Sequence, residues 1–179
     1  MTIWETIASE AAAESALWDA ALRPPSKREL DPVFSSLGQE RFALAVETIY
    51  EGYLLHYGRS RLFGPPDGDT AVLLGDYLYA HGLVRLARHG DVRAVADLAE
   101  LISLCTQLRA GGVVASRLDA PAWAATACAL GSPDGEALDE ARASLRLDGD
   151  PGPLRSLAAA SAGAAALERA LAAHAARVE

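Results

Sequence analysis

Side chains that could bind a metal lie close together in residues 47–56. Glu47 and Glu51 are four positions apart, so a helix would place both carboxylates on one face. Together with His56 they provide the donor types of a helical di-metal site. Such sites use a Glu-x-x-His step that a second helix repeats, whereas the step from Glu51 to His56 is five and no copy follows. We therefore favour a solvated or salt-bridged pair, with Arg59 as a partner.

Two arginines follow the same segment at the predicted end of its helix. Arg59 and Arg61 stand beside Gly58 and Ser60. Their guanidinium groups could receive a phosphate or the carboxylate of a partner protein. They could equally bind the last free carbonyls of the helix, where the dipole favours positive charge. We favour this structural role of the two.

Asp76 lies within the apolar stretch GDYLYAHG. A buried carboxylate is very unfavourable unless it is paired, so Asp76 is expected to have a partner. His81 is either a partner near Asp76 or a core histidine. His89 and His174 are expected at the surface near helix ends. The sequence contains no nucleophile elbow, P-loop or dinucleotide-binding glycine motif. Side-chain chemistry alone thus predicts a helical domain without an assigned reaction.

The elements that must position these residues are predicted to be helices. A length of 179 residues favours one domain, and a chain rich in alanine with only 6% aromatic residues favours helices over strands. The third predicted helix is apolar nearly all round and should be buried on several sides, with Gly75 and Gly82 allowing a neighbour to approach. Apolar spacing and breakers predict seven helices, over about residues 2–22, 37–63, 70–89, 92–110, 120–130, 135–145 and 154–178.

The prediction is therefore an all-α, single-domain helical bundle. Within it, residues 1–34 form an N-terminal helix and connector, residues 35–112 the core helices, and residues 113–179 alanine-rich C-terminal helices.

Charge and cysteine content exclude several classes of protein. The net charge is −8, from 24 acidic and 16 basic residues, which argues against binding to nucleic acid or anionic lipid. No uncharged stretch reaches the roughly 20 residues of a membrane span. Cys105 and Cys128 lie in no metal or disulfide motif. We therefore expect a cytoplasmic protein without a membrane span.

The stretch AVLLGDYLYAHGLVRLARHGDVRAVADLAELISL resembles a segment of the trans-isoprenyl (polyprenyl) diphosphate synthase family. The family segment has the form A-[IV]-L-x-G-D-[YF]-L, and Asp76 falls on its aspartate. Gln107 lies near a Gly-Glu-x-x-Gln element of the family. The preceding VETIYEGYLLHYGRSRL is similar to E-x-I-H-x-x-S-L-[IL]-H-D-D-x-x-D, with Glu47 and His56 on matching positions. The resemblance implies a truncated isoprenoid-synthase-like fold of about seven helices.

The resemblance ends at the residues on which the chemistry of that family depends. Tyr57, Gly58 and Ser60–Arg61 stand where the family has aspartates, and the second aspartate-rich motif is absent. In the family these motifs hold Mg²⁺, which needs hard oxygen ligands and assists ionisation of the allylic diphosphate. The resemblance therefore implies a non-catalytic accessory subunit, like component 1 of heptaprenyl diphosphate synthase. Such a subunit supports a catalytic partner or its product chain length and has no cofactor, because the partner binds the Mg²⁺.

Under this hypothesis the partner is a catalytic polyprenyl diphosphate synthase subunit, and an isoprenoid tail is a further expected ligand. The aromatic residues of the second helix would lie at the partner interface or at the end of a vestigial tunnel, although Tyr50 and Tyr53 are equally expected in the core. The candidate residues are Glu47, Tyr50, Glu51, Tyr53, His56, Tyr57, Arg59, Arg61, Phe63, Asp76, Tyr77, His81 and Gln107.

Two other classes of function remain open at this point. The chain could be a stand-alone helical module that binds other proteins or forms a homodimer. It could instead be an enzyme that uses Glu47, Glu51, His56 and Asp76 around a metal ion.

Overall fold

A computed structural model describes residues 1–88, 90–111, 118–132 and 135–178, and within these residues the regular structure is helical. A single isolated bridge, between Leu22 and Phe63, is the only β-type pairing among them. The prediction of an all-α single domain is confirmed. The described α-helices are α1 (Ile3–Glu14), α2 (Ala16–Ala21), α3 (Ala43–Tyr57), α4 (Gly68–Arg88), α5 (Val92–Ala110), α6 (Asp119–Ala129), α7 (Gly135–Asp148), α8 (Gly152–Ala162) and α9 (Ala164–Val178).

Two of the seven predicted helices are each divided in two, which gives nine in the described chain. Ser15 adopts an extended conformation between α1 and α2, and its side chain caps α2 by accepting a hydrogen bond from the Leu17 amide at 3.1 Å. Gly163 has a φ of 85°, a left-handed value that separates α8 from α9. A local cap and a single glycine are therefore enough to interrupt alanine-rich sequences that otherwise favour continuous helices.

The second predicted helix is shorter than its apolar spacing indicated. Helix α3 begins at Ala43, after two single turns of 3₁₀ helix, and ends before Gly58. Residues 58–63 run back beside the N-terminal connector, where the Arg23 amide donates to the Leu62 carbonyl at 2.8 Å. The prediction of a helix as far as residue 63 is wrong, because this segment exchanges helical hydrogen bonds for pairing with residues 21–23.

Helices α3 and α4 pack very closely through glycines. A Cβ atom added to Gly75 would lie 2.6 Å from His56 Nε2, and one added to Gly82 would lie 2.5 Å from Ile49 Cγ1. The predicted role of these two glycines is confirmed. This helix is buried on several sides, as predicted, but one of its faces, which includes Leu73 and Val84, is exposed although its sequence is apolar nearly all round.

The hydrophobic core consists of two clusters. The larger cluster includes Phe34, Tyr50 and Trp123 and extends across α3, α5, α6, α7, α8 and α9. The smaller cluster packs Trp4 of α1 against the segment that follows α3 and against α4. Among the described residues, no helix combines the length and the apolar character that a bilayer crossing requires.

Candidate functional site

The most highly charged buried group in the described chain is an arginine held between two glutamates. Arg61 Nη2 lies 2.6 Å from Glu47 Oε2, and Arg61 Nε lies 2.5 Å from Glu51 Oε1. All three residues have no solvent-exposed surface. We call Glu47, Glu51 and Arg61 the arginine cluster. The pair of carboxylates is therefore salt-bridged within the protein, by Arg61 and not by Arg59.

Hydroxyl and amide groups complete the coordination of both carboxylates. The Ser35 hydroxyl donates to Glu47 Oε1 at 2.5 Å, and the Ser60 hydroxyl donates to Glu51 Oε2 at the same distance. Glu51 Oε2 also accepts from the backbone amides of Arg61 and Leu62, at 3.2 and 3.3 Å. Buried charges are stable only when their remaining lone pairs are satisfied in this way.

The side chain of Arg61 is fixed from every side. Its guanidinium carbon lies 4.4 Å from the centre of the Trp4 ring and 5.0 Å from that of Tyr50, and Nη1 donates to the Asp31 carbonyl at 2.9 Å. Burial alone would lower the pKa of Arg61, but attraction to Glu51 and Glu47 outweighs burial and raises it. The arginine is therefore a permanent internal cation.

This geometry does not bring the proposed metal ligands together. Glu47 and Glu51 already bind Arg61, whereas His56 and Asp76 contact each other, with Nε2 and Oδ1 at 3.1 Å. Across the residues that the structure describes, no three acidic, histidine or cysteine side chains are grouped as metal ligands. The arrangement of these four residues does not support a metal-dependent enzyme.

The apolar sequence around Asp76 suggested a buried carboxylate, but Asp76 is exposed. About two thirds of its side chain (65%) is exposed, and its partner is His56, which stacks on Tyr79 with ring centres 5.1 Å apart. His81 lies 3.0 Å from Glu10 instead and is partly buried. The expected burial of Asp76 is wrong, because the face of α4 that carries it points away from the core, whereas the expected partner is present in His56.

A second buried network connects α3, α5, α6 and α9. His174 Nδ1 lies 2.9 Å from the Tyr50 hydroxyl, and His174 Nε2 lies 3.2 Å from Asp119 Oδ1. The other oxygen of Asp119 accepts from the Tyr53 hydroxyl and from Arg109 Nε, the latter at 2.8 Å. We call these five residues the aspartate network. The prediction of a surface position for His174 is wrong, since it is 2% exposed, and His89 lies outside the described residues.

The protonation of the aspartate network follows from burial and hydrogen bonding. Burial opposes the charged form of Asp119, but hydrogen bonds and charge from His174, Tyr53 and Arg109 lower its pKa below the usual value. Burial raises the pKa of the Tyr50 and Tyr53 hydroxyls. Both hydroxyls are consequently neutral, and Tyr53 donates to the ionised carboxylate of Asp119 while Tyr50 contacts His174.

The remaining candidates lie at several separate places. Arg59 is exposed and forms an ion pair with Glu29, a residue that also binds Arg177. Tyr57 lies 3.4 Å from the Thr106 hydroxyl, and Gln107 accepts from Arg146 Nε at 3.1 Å. Neither Arg59 nor Arg61 binds the last carbonyls of α3 through its side chain, although the favoured interpretation expected this. Both arginines instead form ion pairs with glutamates of the same chain.

The aromatic candidates lie mainly in the core, which is the position equally expected for Tyr50 and Tyr53. Tyr50, Tyr53 and Phe63 are completely buried, so they offer no surface to a partner protein. Tyr50 and Tyr53 pack on Trp123, with ring centres 5.0 and 5.5 Å from it. Tyr57 and Tyr77 are only partly buried, and Tyr77 stacks on Trp18 and His81.

Sequence reasoning missed the partners that complete both networks. Ser35, Asp119 and Arg109 carried no recognisable motif, because their partners lie up to 66 positions away. A third buried ion pair was also missed, in which Arg142 Nη1 lies 3.1 Å from Asp97 Oδ1, and burial lowers the pKa of this arginine. An arginine or aspartate at an apolar position of a helix was the only available signal.

Comparison with known proteins adds no family to this description. No family model, no curated protein and no solved structure matches the chain.

Proposed function

We propose that this protein is a non-catalytic accessory subunit of a polyprenyl diphosphate synthase. In this role it binds a catalytic subunit and supports its activity or its product chain length. The proposal rests on the resemblance of the GDYL segment to that family, combined with the state of Glu47 and Glu51 in the folded chain.

The observation that carries the non-catalytic part of the proposal is the arginine cluster. A metal-dependent prenyl transfer needs free carboxylates that converge on a divalent cation. Here Glu47 lies on the glutamate of the family pattern, but it is already bound to Arg61 within the same chain. Glu51 is bound to the same guanidinium, and Asp76 faces solvent. Glu47 and Glu51 therefore stabilise the fold and do not bind a metal for diphosphate ionisation.

The test is a reconstitution with a polyprenyl diphosphate synthase encoded by a neighbouring gene. We expect the pure chain to form no product from isopentenyl diphosphate and an allylic diphosphate with Mg²⁺. Co-expression of the two chains should give co-purification and either higher activity or a changed product length. The synthase alone is the control.

Two results would contradict the proposal in different ways. If the two chains do not co-purify and the product does not change, the accessory role is contradicted. The chain would then be a stand-alone helical module. Prenyl transfer by the pure chain, or stoichiometric metal in the purified protein, would instead restore an enzyme function.

A further inference from the structure

A small pocket lies between the connector that follows α2, the segment that follows α3 and the start of α4. Its volume is about 210 Å³, below the roughly 300–1,000 Å³ of pockets that take drug-sized ligands. At about 30 Å³ for each water molecule, it has room for about seven water-sized groups. We call it the Arg23 pocket, after an arginine that lines it. Its walls are otherwise mainly apolar and consist of Leu54, Leu55, Phe63, Pro65 and Ala71.

Arg23 is a cation without a partner in the part of the chain that the structure describes. Its side chain is only partly exposed and lines the pocket, yet it forms no ion pair and no hydrogen bond with the described residues. Most other arginines of these residues bind a carboxylate, as Arg85 binds Glu10 and Arg146 binds Glu100. An arginine side chain is always charged in proteins. The pocket therefore contains a permanent positive charge whose N–H donors are not used by these residues.

The backbone of Arg23 is held in position on both sides. Its amide donates to the Leu62 carbonyl at 2.8 Å, and its carbonyl accepts from Arg28 Nε at 2.8 Å. The guanidinium group lies against Gly64, where an added Cβ atom would be 3.6 Å from Arg23 Cζ. A donor that is already positioned loses less conformational freedom when a ligand binds. Arg23 is therefore prepared for a ligand by the fold itself.

The other polar side chains of the pocket already have partners. Arg59 binds Glu29, and Ser60 Oγ donates to a glutamate of the arginine cluster at 2.5 Å. The carboxylates of that cluster are completely buried, and no acidic side chain among the described residues lines the pocket. Glu29 is shared between Arg59 and Arg177, so one carboxylate faces two cations there. The pocket therefore favours an anion, and Arg23 is the group that has donors for it.

The donors of the pocket indicate which anion fits. A single guanidinium presents a planar fork of N–H groups that matches the two oxygens of a carboxylate. A phosphate group has a third oxygen and up to two negative charges, which would need further unpaired donors. The apolar walls suit an aliphatic chain.

We infer that the Arg23 pocket binds a small aliphatic carboxylate, with its carboxylate on Arg23 and a chain of about four to six carbons against Leu55 and Ala71. A free acid has this chemistry, and so does the carboxyl terminus of a peptide that ends in an aliphatic residue. The inference does not depend on the proposed synthase role, because no metal, diphosphate or catalytic subunit enters it.

The first experiment titrates the full-length protein with 4-methylpentanoate and follows the backbone amide signals by NMR. At about 0.15 M salt, where distant surface charges are screened, we expect saturable shifts near residues 23, 55, 58–60 and 71. Acetate, which lacks the chain, and inorganic phosphate should each bind at least about fivefold more weakly. N-acetyl-leucine distinguishes the two sources, since tighter binding than 4-methylpentanoate indicates peptide carboxyl termini and weaker binding indicates free acids. No saturable shift up to about 50 mM, or equally tight binding of phosphate, would overturn the inference.

The second experiment repeats the titration with three variants whose folding is verified by circular dichroism. Arg23→Gln should raise the dissociation constant for 4-methylpentanoate about tenfold or more, because it removes the charge that the carboxylate binds. Lys27→Gln is the matched control, since Lys27 is an exposed base of the same connector that does not line the pocket, and its effect should stay below about twofold. Ala71→Phe keeps Arg23 but fills the pocket, so binding should be lost. Equal effects of Arg23→Gln and Lys27→Gln, or unchanged binding by Ala71→Phe, would overturn the inference.

Discussion

The arginine cluster and the aspartate network both begin on α3, but they connect very different parts of the chain. Glu47 and Arg61 are 14 residues apart, and their pairing fixes the short segment after α3 against the side of that helix. Tyr50 and His174 are 124 residues apart, and their pairing joins α3 to the last helix. The first cluster therefore determines a local chain path, whereas the second determines how the helices of the bundle are arranged.

The two groups also differ in charge. The arginine cluster contains two carboxylates and one guanidinium, so it buries an excess negative charge that depends on hydroxyl and amide donors. The aspartate network opposes one carboxylate to one guanidinium and adds neutral hydroxyl donors. Removal of Arg61, the single cation of the arginine cluster, should therefore lower the free energy of unfolding more than removal of one partner from the aspartate network.

The largest expected effect is that of Arg61→Met. This variant leaves Glu47 and Glu51 buried without a cation, and we expect the free energy of unfolding to fall by about 3–5 kcal/mol. Urea denaturation followed by circular dichroism measures this change. Hydrogen exchange should show the greatest loss of protection near residues 58–63.

A combined variant separates lost charge from lost packing. Addition of Glu47→Gln and Glu51→Gln to Arg61→Met removes the uncompensated charges, so part of the stability should return. A single Arg61→Met variant as stable as the native protein would show that both glutamates reach solvent or partners elsewhere.

Asp119→Asn should produce the second largest effect. The amide keeps the shape of the side chain but weakens the charge-assisted bonds to Arg109 and His174, and we expect a loss of about 1.5–3 kcal/mol. Hydrogen exchange should increase mainly in α9, which carries His174. An equal increase of hydrogen exchange in α9 and in the segment after α3 would mean that the two networks unfold as one unit. That result would contradict the separate roles of the two networks.

Acid should affect stability through the same aspartate. The folded pKa of Asp119 is lower than its value of about 3.8 in an unfolded chain, so ionised Asp119 contributes stability above that value. This contribution is lost as the pH falls through the lower, folded pKa. Urea denaturation between about pH 6 and pH 2 should show native protein and Asp119→Asn converging in stability at the acid end. Parallel curves would assign the acid sensitivity to other carboxylates.

The smallest expected effect is that of Arg59→Ala, the exposed counterpart of the Arg61 change. Arg59 is more than half exposed and binds Glu29, so its removal should lower the free energy of unfolding by less than about 1 kcal/mol. A change comparable with that of Arg61→Met, measured by the same denaturation, would contradict the distinction between a buried and an exposed ion pair.

Helix content and most helix boundaries could be predicted from local sequence. Val92 to Ala110 was predicted as a helix and forms α5, and the glycines between α3 and α4 were recognised as points of close approach. Candidate residues were harder to place. Glu47 and Glu51 were correctly grouped, but Arg61 was separated from them by the assumption that α3 continued through it. A helix would have carried Arg61 further along the axis, and only the turn at Gly58 brings it back.

The amino-acid sequence by itself determined that this chain is helical, because alanine-rich amphipathic segments separated by glycine and proline have few other ways to satisfy their backbone hydrogen bonds. Tertiary structure alone decided which charged residues are buried and which are exposed. Asp76 stands in an apolar sequence and faces solvent, whereas Arg61 and His174 look like surface residues and are enclosed. The reason is physical: burial of a charge depends on whether distant residues arrive to pair with it, and spacing along one helix does not contain that information.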